Sequence, residues 1–142
     1  MMLSAHPVRA FFIYAHSDKK IVHRLHARMV RDGVNTWLDT ENLQPGQDWA
    51  YEIRRAILKC DVIIVCLSRA FNERRGYRHE ELRLALRKAS LLPRDEVFIV
   101  PVRLEKCVMP DSLRRLHRVD VFERGGYRIL IRTLRGKAES NR

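Results

Sequence analysis

The 142-residue sequence is poor in cysteine and has no apolar run of membrane-spanning length. Its three cysteines, Cys60, Cys66 and Cys107, show neither Cys-x-x-Cys spacing nor a zinc-site pattern, so we expect reduced thiols and no metal site. Apolar stretches such as residues 62–68 and 97–102 are far shorter than the roughly 20 residues that cross a bilayer. The amino terminus carries no secretory signal pattern. We therefore expect a cytoplasmic protein that does not span a membrane.

Several nucleotide-binding and hydrolase motifs are also missing. The first predicted strand is not followed by a Gly-rich phosphate-binding turn, and the chain has neither a Walker pattern nor a Gly-x-Ser-x-Gly elbow. These absences argue against a dinucleotide-dependent dehydrogenase, an NTPase and an α/β-hydrolase. The hydrophobic fraction of 46% and the charged fraction of 32% are typical of a globular domain. We predict one domain over residues 1–136 and a tail or linker over residues 137–142.

The sequence is strongly basic, with 28 Lys and Arg against 17 Asp and Glu, and its net charge is +11. Such an excess favours association with polyanions through long-range attraction. The basic residues are distributed over several predicted helices, and they are not interleaved with the aromatic residues typical of a single-strand-binding platform. We therefore expect nucleic acid to bind only non-specifically.

Short apolar runs alternate with longer amphipathic stretches, which is the pattern of βαβ units. The predicted strands are residues 8–15, 34–38, 61–68, 97–102 and 119–122. The predicted helices are residues 18–32, 48–59, a segment from about 77 that ends before Pro93, and 127–135. Asp18 is expected to cap the first helix and Gly33 to end it, and Gln-Pro-Gly at 44–46 is expected to form a turn. Ile21 and Ile129 are expected to face the core. The sequence thus predicts a flavodoxin-like α/β domain with a five-stranded parallel sheet and helices on both faces.

Ligands of an open parallel sheet bind beyond the carboxyl ends of the strands. The segments expected at this edge are residues 14–18, 39–49, 68–77 and 103–110, with residues 69–76 predicted as a basic loop. The helix that follows has an apolar face, and helical periodicity places Glu81 at the margin of that face and Glu80 away from it. Tyr77 lies one turn before Glu81. A carboxylate in a first helical turn also has a purely structural explanation, because it offsets the helix dipole.

Four segments in order resemble the Toll/interleukin-1 receptor (TIR) domain family. Residues 11–18 (Phe-Phe-Ile-Tyr-Ala-His-Ser-Asp) resemble the first family box. Trp-Leu-Asp at 37–39 and Leu-Gln-Pro-Gly at 43–46 resemble the second strand and the BB loop. Residues 61–68 resemble the central strand, and residues 76–82 (Gly-Tyr-Arg-His-Glu-Glu-Leu) resemble the aromatic-x-x-x-Glu-Leu segment. The resemblance covers nearly the whole chain.

The resemblance implies that the domain cleaves NAD, since the Glu of the last segment is catalytic in family members with that activity. This catalytic Glu of the family matches Glu81 here, and the family's upstream aromatic residue matches Tyr77. NAD would then be the substrate, and no cofactor is expected. We expect eight residues at the carboxyl edge to bind the substrate: Tyr14, Ala15, His16, Asp39, Trp49, Ser68, Arg69 and Tyr77.

The chain departs from the family pattern at three places, one of which is that the Phe-Trp box of animal receptors has no clear counterpart near Val121 and Phe122. Ile-Tyr-Ala at 13–15 stands where the family usually has Ser-Tyr-Ser, which removes two hydroxyls that could position a substrate. Gln44 stands where receptors and adaptors often carry a basic residue. The closer resemblance is to a bacterial NAD-cleaving effector that is active on self-association through the 39–47 loop, with a possible C-terminal sensor domain. The alternatives are a non-enzymatic TIR adaptor and, on charge alone, a nucleic-acid-binding domain.

Overall fold

The computed structural model describes residues 8–34, 36–37, 44–73 and 77–140, without the side chains of residues 36, 37, 49, 77, 78 and 140. The elements follow in the order β1 (Ala10–Ile13), α1 (Lys19–Arg31), β2 (Thr36–Trp37), α2 (Trp49–Lys59), β3 (Val62–Leu67), α3 (Arg69–Glu73), α4 (Tyr77–Ser90), β4 (Ile99–Arg103), β5 (Val119–Asp120) and α5 (Gly126–Ser140). Short 3₁₀ turns occupy His16–Asp18 and Asp111–Leu113.

The strands form one parallel sheet in the order β2-β1-β3-β4-β5. All six residues of β3 are buried, because this central strand is covered on both faces. The edge strands β2 and β5 have only two residues each. The parallel α/β architecture is confirmed, and its strand order reverses between β1 and β3, which is the position where open parallel sheets generally bind ligands.

Two apolar cores lie on opposite faces of the sheet. The first contains the buried faces of α1 and α5, including Val22, Met29 and Leu130. The second contains those of α2 and α4, including Ile57 and Ala85. Helices therefore flank both faces, as predicted.

Individual apolar positions differ from the prediction. Ile21 and Ile129 are 47% and 52% exposed, and Val22 and Ile131 are buried instead. A helix advances about 100° per residue, so Ile129 and Ile131 point about 200° apart and cannot both face the core. Ile21 and Val22 point about 100° apart, and here Val22 is the one that faces the core. The sequence pattern alone could not select which member of each pair that is.

Three element boundaries also differ from the prediction. Residues 69–73 form α3, where a loop was expected, because Ser68 accepts a hydrogen bond from the Phe71 amide and starts a helical turn (3.0 Å). Helix α5 continues to Ser140, where a tail was expected, since Lys137 is buried and its Nζ lies 3.2 Å from Glu96. Strand β1 is shorter than predicted, because the chain enters a 3₁₀ turn at His16.

The turn chemistry agrees with the prediction at two glycines. Gly33, directly after α1, has φ of +83°, and Gly46 has φ of +91°. The Gln47 amide donates to the Gln44 carbonyl at 3.1 Å, which closes the predicted Gln-Pro-Gly turn. Asp48 then caps α2 by accepting from the Tyr51 amide at 3.2 Å. No helix in the described ranges is long and apolar enough to cross a membrane.

Candidate functional site

Hydrogen bonds join the segments that follow β1, β3 and β4. The Ser68 hydroxyl donates to the Asp18 carboxylate, and the Arg69 amide donates to Glu105 Oε2 at 2.8 Å. Asn72 Nδ2 donates to the Val108 carbonyl at 2.8 Å. These segments meet at the carboxyl edge, as predicted from the parallel sheet. Residues 39–43, which include the predicted contact Asp39, lie outside the described residues.

Asp18 and Ser68 form a buried pair at this edge, with relative exposures of 9% and 1%. Asp18 was expected to cap α1, but its side chain makes no cap hydrogen bond. The 3₁₀ turn before α1 directs its carboxylate to Ser68 instead. Ser68 was expected to bind substrate, and its hydroxyl is used within the chain by Asp18 and by the Phe71 amide. Ser68 therefore holds the first loop against α3 and does not line an open surface.

Tyr14 and Ala15 lie on opposite faces of the sheet. Tyr14 packs in the core beneath α1 and α5, and Ala15 packs in the core beneath α2 and α4. Successive residues of extended chain alternate between faces, so a contiguous motif cannot direct both residues to one ligand. Only Ala15 lies on the same side of the sheet as α4.

Among the predicted contacts whose side chains the structure describes, His16 and Arg69 are exposed. The Arg69 side chain is 71% exposed, and its Nε lies 3.6 Å from Glu105. Such an exposed pair is weak. The Arg69 guanidinium can therefore turn toward an anionic ligand at this edge at small cost.

Glu80 and Glu81 differ as helical periodicity predicts. Glu81 is buried, with 8% exposure, whereas Glu80 is exposed and pairs with Arg83 Nη1 at 2.6 Å. Helix α4 contacts α2 and β1. Leu82 and Ala85, on the buried side of α4, pack in the same core as Ala15 and Ile53. Glu81 is thus a buried carboxylate on the side of α4 that faces this core.

Helix α2 follows β2, and α4 follows β3 and the short helix α3, so both helices begin near the carboxyl edge of the parallel sheet. Their first residues are Trp49 and Tyr77, two of the predicted substrate contacts. The side chains of both residues lie outside the description. The backbone thus brings the predicted aromatics to the same edge as Ala15 and Glu81.

An open cavity of about 910 Å³ lies between α4 and the segment after β4. Its lining includes His79, Arg83, Met109 and Arg114, and none of the predicted substrate contacts among the described residues lines it. Glu81 does not line this cavity, although its neighbours Glu80 and Leu82 do.

The cysteines are free thiols, as predicted. Burial raises the pKa of Cys60 to about 12, and burial together with the negative charge of Asp18 raises the pKa of Cys66 further. Thiols with such raised pKa values stay protonated and are poor nucleophiles. In the part of the chain that the structure describes, no three His, Cys, Asp or Glu side chains form a metal-binding group.

Sequence reasoning missed the structural roles of Asp18 and Glu105 at this edge. Each is an acidic residue just after a predicted strand, where side chains of neighbouring loops meet. Their position after a strand was the sequence feature that could have indicated these roles. Their partners could not be predicted, because they depend on which strands are neighbours in the sheet.

Comparison with protein families matches residues 11–133 to the TIR domain. A search of curated proteins found no match. Among solved structures, the TIR domain of the Toll-related receptor TRR-2 from Hydra magnipapillata is similar, with a TM-score of 0.73 at 22% identity over 89% of this chain and 97% of that chain.

Two further structures share the fold. The TIR domains of the activated Roq1 resistosome give a TM-score of 0.59 at 20% identity, over 95% of this chain and 75% of that chain. The CMP N-glycosidase BcmB of Clostridium botulinum gives 0.57 at 18% identity, over 89% of this chain and 97% of that chain. Because the family match covers most of the sequence, the chain belongs to the TIR domain family.

Proposed function

We propose that this TIR domain is an NAD glycohydrolase in which Glu81 is the catalytic residue. The observation that carries the proposal is the burial of Glu81, with 8% exposure, on the side of α4 that faces Ala15 and α2. A carboxylate that served only to offset the helix dipole could remain in solvent, as Glu80 does. The enclosure of Glu81 near the carboxyl edge, where ligands of open parallel sheets bind, supports a chemical role.

The reaction needs few groups. The bond between the nicotinamide nitrogen and the ribose C1′ breaks, and its electron pair leaves with neutral nicotinamide, so no general acid is required. The carboxylate of Glu81 stabilises the oxocarbenium-like C1′ or captures it. Water then attacks C1′ and releases a proton to give ADP-ribose, or an adenine nitrogen attacks it to give a cyclic form. NAD is the substrate, and no cofactor takes part.

The substrate contacts that we propose lie around this carboxylate. His16 and Arg69 are exposed at the edge, and the Arg69 guanidinium suits the pyrophosphate. Ala15 would line the pocket wall. Asp39, Trp49 and Tyr77 stay predictions, with the two aromatics suited to stack on a base. We do not propose Tyr14 or Ser68 as substrate contacts, because Tyr14 packs in the opposite core and Ser68 is buried.

The fold is compatible with this chemistry. A CMP N-glycosidase shares it, and so do the TIR domains of an activated resistosome. We propose that a bacterial-type effector activity here depends on self-association through the 39–47 loop, with a C-terminal sensor domain as a further partner.

A non-enzymatic TIR adaptor is the second candidate. The observation in its favour is the high structural similarity to the TIR domain of a Toll-related receptor. An adaptor would dock to other TIR domains and would not turn over NAD. Glu81 would then be a structural residue.

A matched pair of variants tests the proposal. Glu81→Gln should abolish nicotinamide release from NAD at high protein concentration, because the amide cannot stabilise a cationic C1′. Glu80→Gln should retain most of the activity, since its side chain is exposed and bonds only to Arg83 among the described contacts. Nicotinamide is measured by chromatography, and circular dichroism confirms that both variants fold. An equal loss in both variants would refute the assignment, and absence of turnover in the wild type would favour the adaptor.

A further inference from the structure

The positive charge of the protein is distributed unevenly between the two helical layers. Helix α1 contains five Lys or Arg and no Asp or Glu, and α5 contains four Lys or Arg and one Glu. On the opposite layer, α2 has three basic residues and one acidic residue, and α4 has four basic residues and two acidic residues. These two layers cover opposite faces of the sheet. The molecule is therefore electrically asymmetric.

The exposed faces of α1 and α5 are joined. The Tyr127 hydroxyl donates to Asp32 Oδ2 at 2.6 Å, and Arg135 Nη2 donates to the Asp32 carbonyl at 2.9 Å. The guanidinium of Arg28 lies 3.7 Å from the centre of the Tyr127 ring. These contacts connect the carboxyl end of α1 to α5, so the charges of the two helices act as one surface.

Six cations on this surface are exposed and lack an acidic partner in the described part of the chain. They are Lys19, Lys20, Arg24, Arg31, Arg128 and Arg132. The nearby acids are few: Asp32 bonds to Tyr127, Glu96 pairs with Lys137, and Glu123 and Glu139 lie near the two ends of α5. On the α2 and α4 layer, by contrast, Glu52 pairs with Arg55 and Glu80 pairs with Arg83. We call these six residues the basic face.

We propose that the basic face binds the phosphate backbone of duplex nucleic acid without sequence preference. Four of its six cations are arginine, whose guanidinium matches phosphate oxygens bidentately. Helix α1 is about 20 Å long, so its cations can reach several phosphates. This inference does not depend on NAD cleavage.

The surface fits a duplex better than a single strand or a membrane. Single strands need exposed aromatic rings for stacking, and Tyr127, the aromatic residue of α5, is half-buried under Arg28. Membrane-surface helices insert aromatic or leucine side chains. Here the exposed large apolar residues of α1 and α5 are Ile21, Val30 and Ile129, at 47%, 49% and 52%, and none of these three is aromatic or leucine. Such a surface complements the rigid, charged phosphate backbone of a nucleic-acid duplex.

The test compares two variants of equal net charge. Arg24→Gln/Arg128→Gln/Arg132→Gln neutralises three cations of the basic face. Arg54→Gln/Lys59→Gln/Arg87→Gln neutralises three exposed cations of the opposite layer. Fluorescence anisotropy with a labelled duplex follows binding of the full chain from low to physiological salt. The logarithm of the binding constant falls with the logarithm of the salt concentration, and each phosphate contact adds about 0.9 to the steepness of this fall. The first variant should therefore make the fall less steep by roughly 2–3. The second should leave it nearly unchanged.

Three outcomes would overturn the proposal. These are equal losses in both variants, tighter binding to a single strand of the same length, and face-dependent binding to phosphatidylserine vesicles without binding to the duplex. NAD turnover by the basic-face variant should equal that of the wild type. A failure of nucleic-acid binding is thus distinguishable from a failure of the proposed enzymatic activity.

Discussion

The pairing of Arg103 with Asp120 shows how single residues secure the edge of the sheet. Arg103 Nε and Nη2 each donate to the Asp120 carboxylate at 2.7 Å, and the two residues are register partners on β4 and β5. Their side chains are only 11% and 21% exposed. The hydrogen bond from Arg103 lowers the pKa of Asp120 below its ordinary value. Strand β5 has only two residues, so this pair is a large part of its attachment.

We predict that Asp120→Asn destabilises the fold by roughly 1.5–3 kcal/mol at neutral pH, as expected for a hydrogen bond to a charged group. The folded pKa of Asp120 is lower than the unfolded one, so its stabilisation is present above about pH 4–5 and is lost as the pH falls further. Urea denaturation of the wild type and the variant across this range measures the difference. The difference should therefore shrink in acid.

The exposed pair of Asp111 and Arg114 provides the control, since its side chains are 89% and 66% exposed. Asp111→Asn should change stability by at most about 1 kcal/mol. A difference between wild type and Asp120→Asn that did not depend on pH would contradict the electrostatic explanation.

At the scale of elements, Lys88 joins the two helices of one layer. Its Nζ donates to the carbonyls of Ile57, Leu58 and Cys60 at 3.2, 2.6 and 3.0 Å. These carbonyls are at the end of α2, where the helix leaves them without an internal partner. Burial lowers the pKa of Lys88. Helix α4 therefore supplies the carboxyl cap of α2 and fixes the relation between the two helices around the candidate site.

We predict that Lys88→Met destabilises the protein by roughly 1.5–3 kcal/mol, because it removes charged hydrogen bonds and keeps the aliphatic stem. Arg87→Met is the control, because Arg87 is the exposed neighbour and should change stability by less than about 0.5 kcal/mol. Guanidinium denaturation of both variants measures the two effects. If Lys88→Met were as stable as Arg87→Met, water would satisfy the carbonyls at the end of α2 as well as Lys88 does.

At the scale of the whole molecule, the exposed turn at 44–47 is the described part of the proposed self-association loop. Gly46 has φ of +91°, which an L-residue rarely adopts. We predict that Gly46→Ala weakens self-association and lowers NAD turnover together. Sedimentation velocity and nicotinamide release over a range of protein concentrations measure the two effects.

Gly136→Ala is the matched control for the turn variant. Gly136 lies in α5 with open space around its Cα, so alanine should be tolerated or stabilise the helix by about 1 kcal/mol. Its assembly and turnover should match those of the wild type. A Gly46→Ala protein that assembled and turned over NAD normally would exclude this turn from the mechanism.

The sequence by itself determined the parallel α/β class, the elements of the buried layers and the difference between Glu80 and Glu81. These features follow from local periodicity: the run at 62–67 is apolar throughout, and adjacent positions on a helix point about 100° apart. The turn at Gly46 was also predicted, because a few neighbouring residues are sufficient for it. The cap at Asp48 was not predicted, although it too depends on neighbouring residues.

Only the tertiary structure decided which residues become partners across elements. Asp18 bonds to Ser68 instead of capping α1, and Tyr14 and Ala15 face opposite cores. Lys88 caps the end of α2 by donating to Cys60, which precedes it by 28 residues. The uneven distribution of charge between the helical layers likewise emerged only when the sheet placed α1 and α5 on one face. Such contacts join residues far apart in the chain, and their energies depend on strand order and burial, which local patterns do not contain.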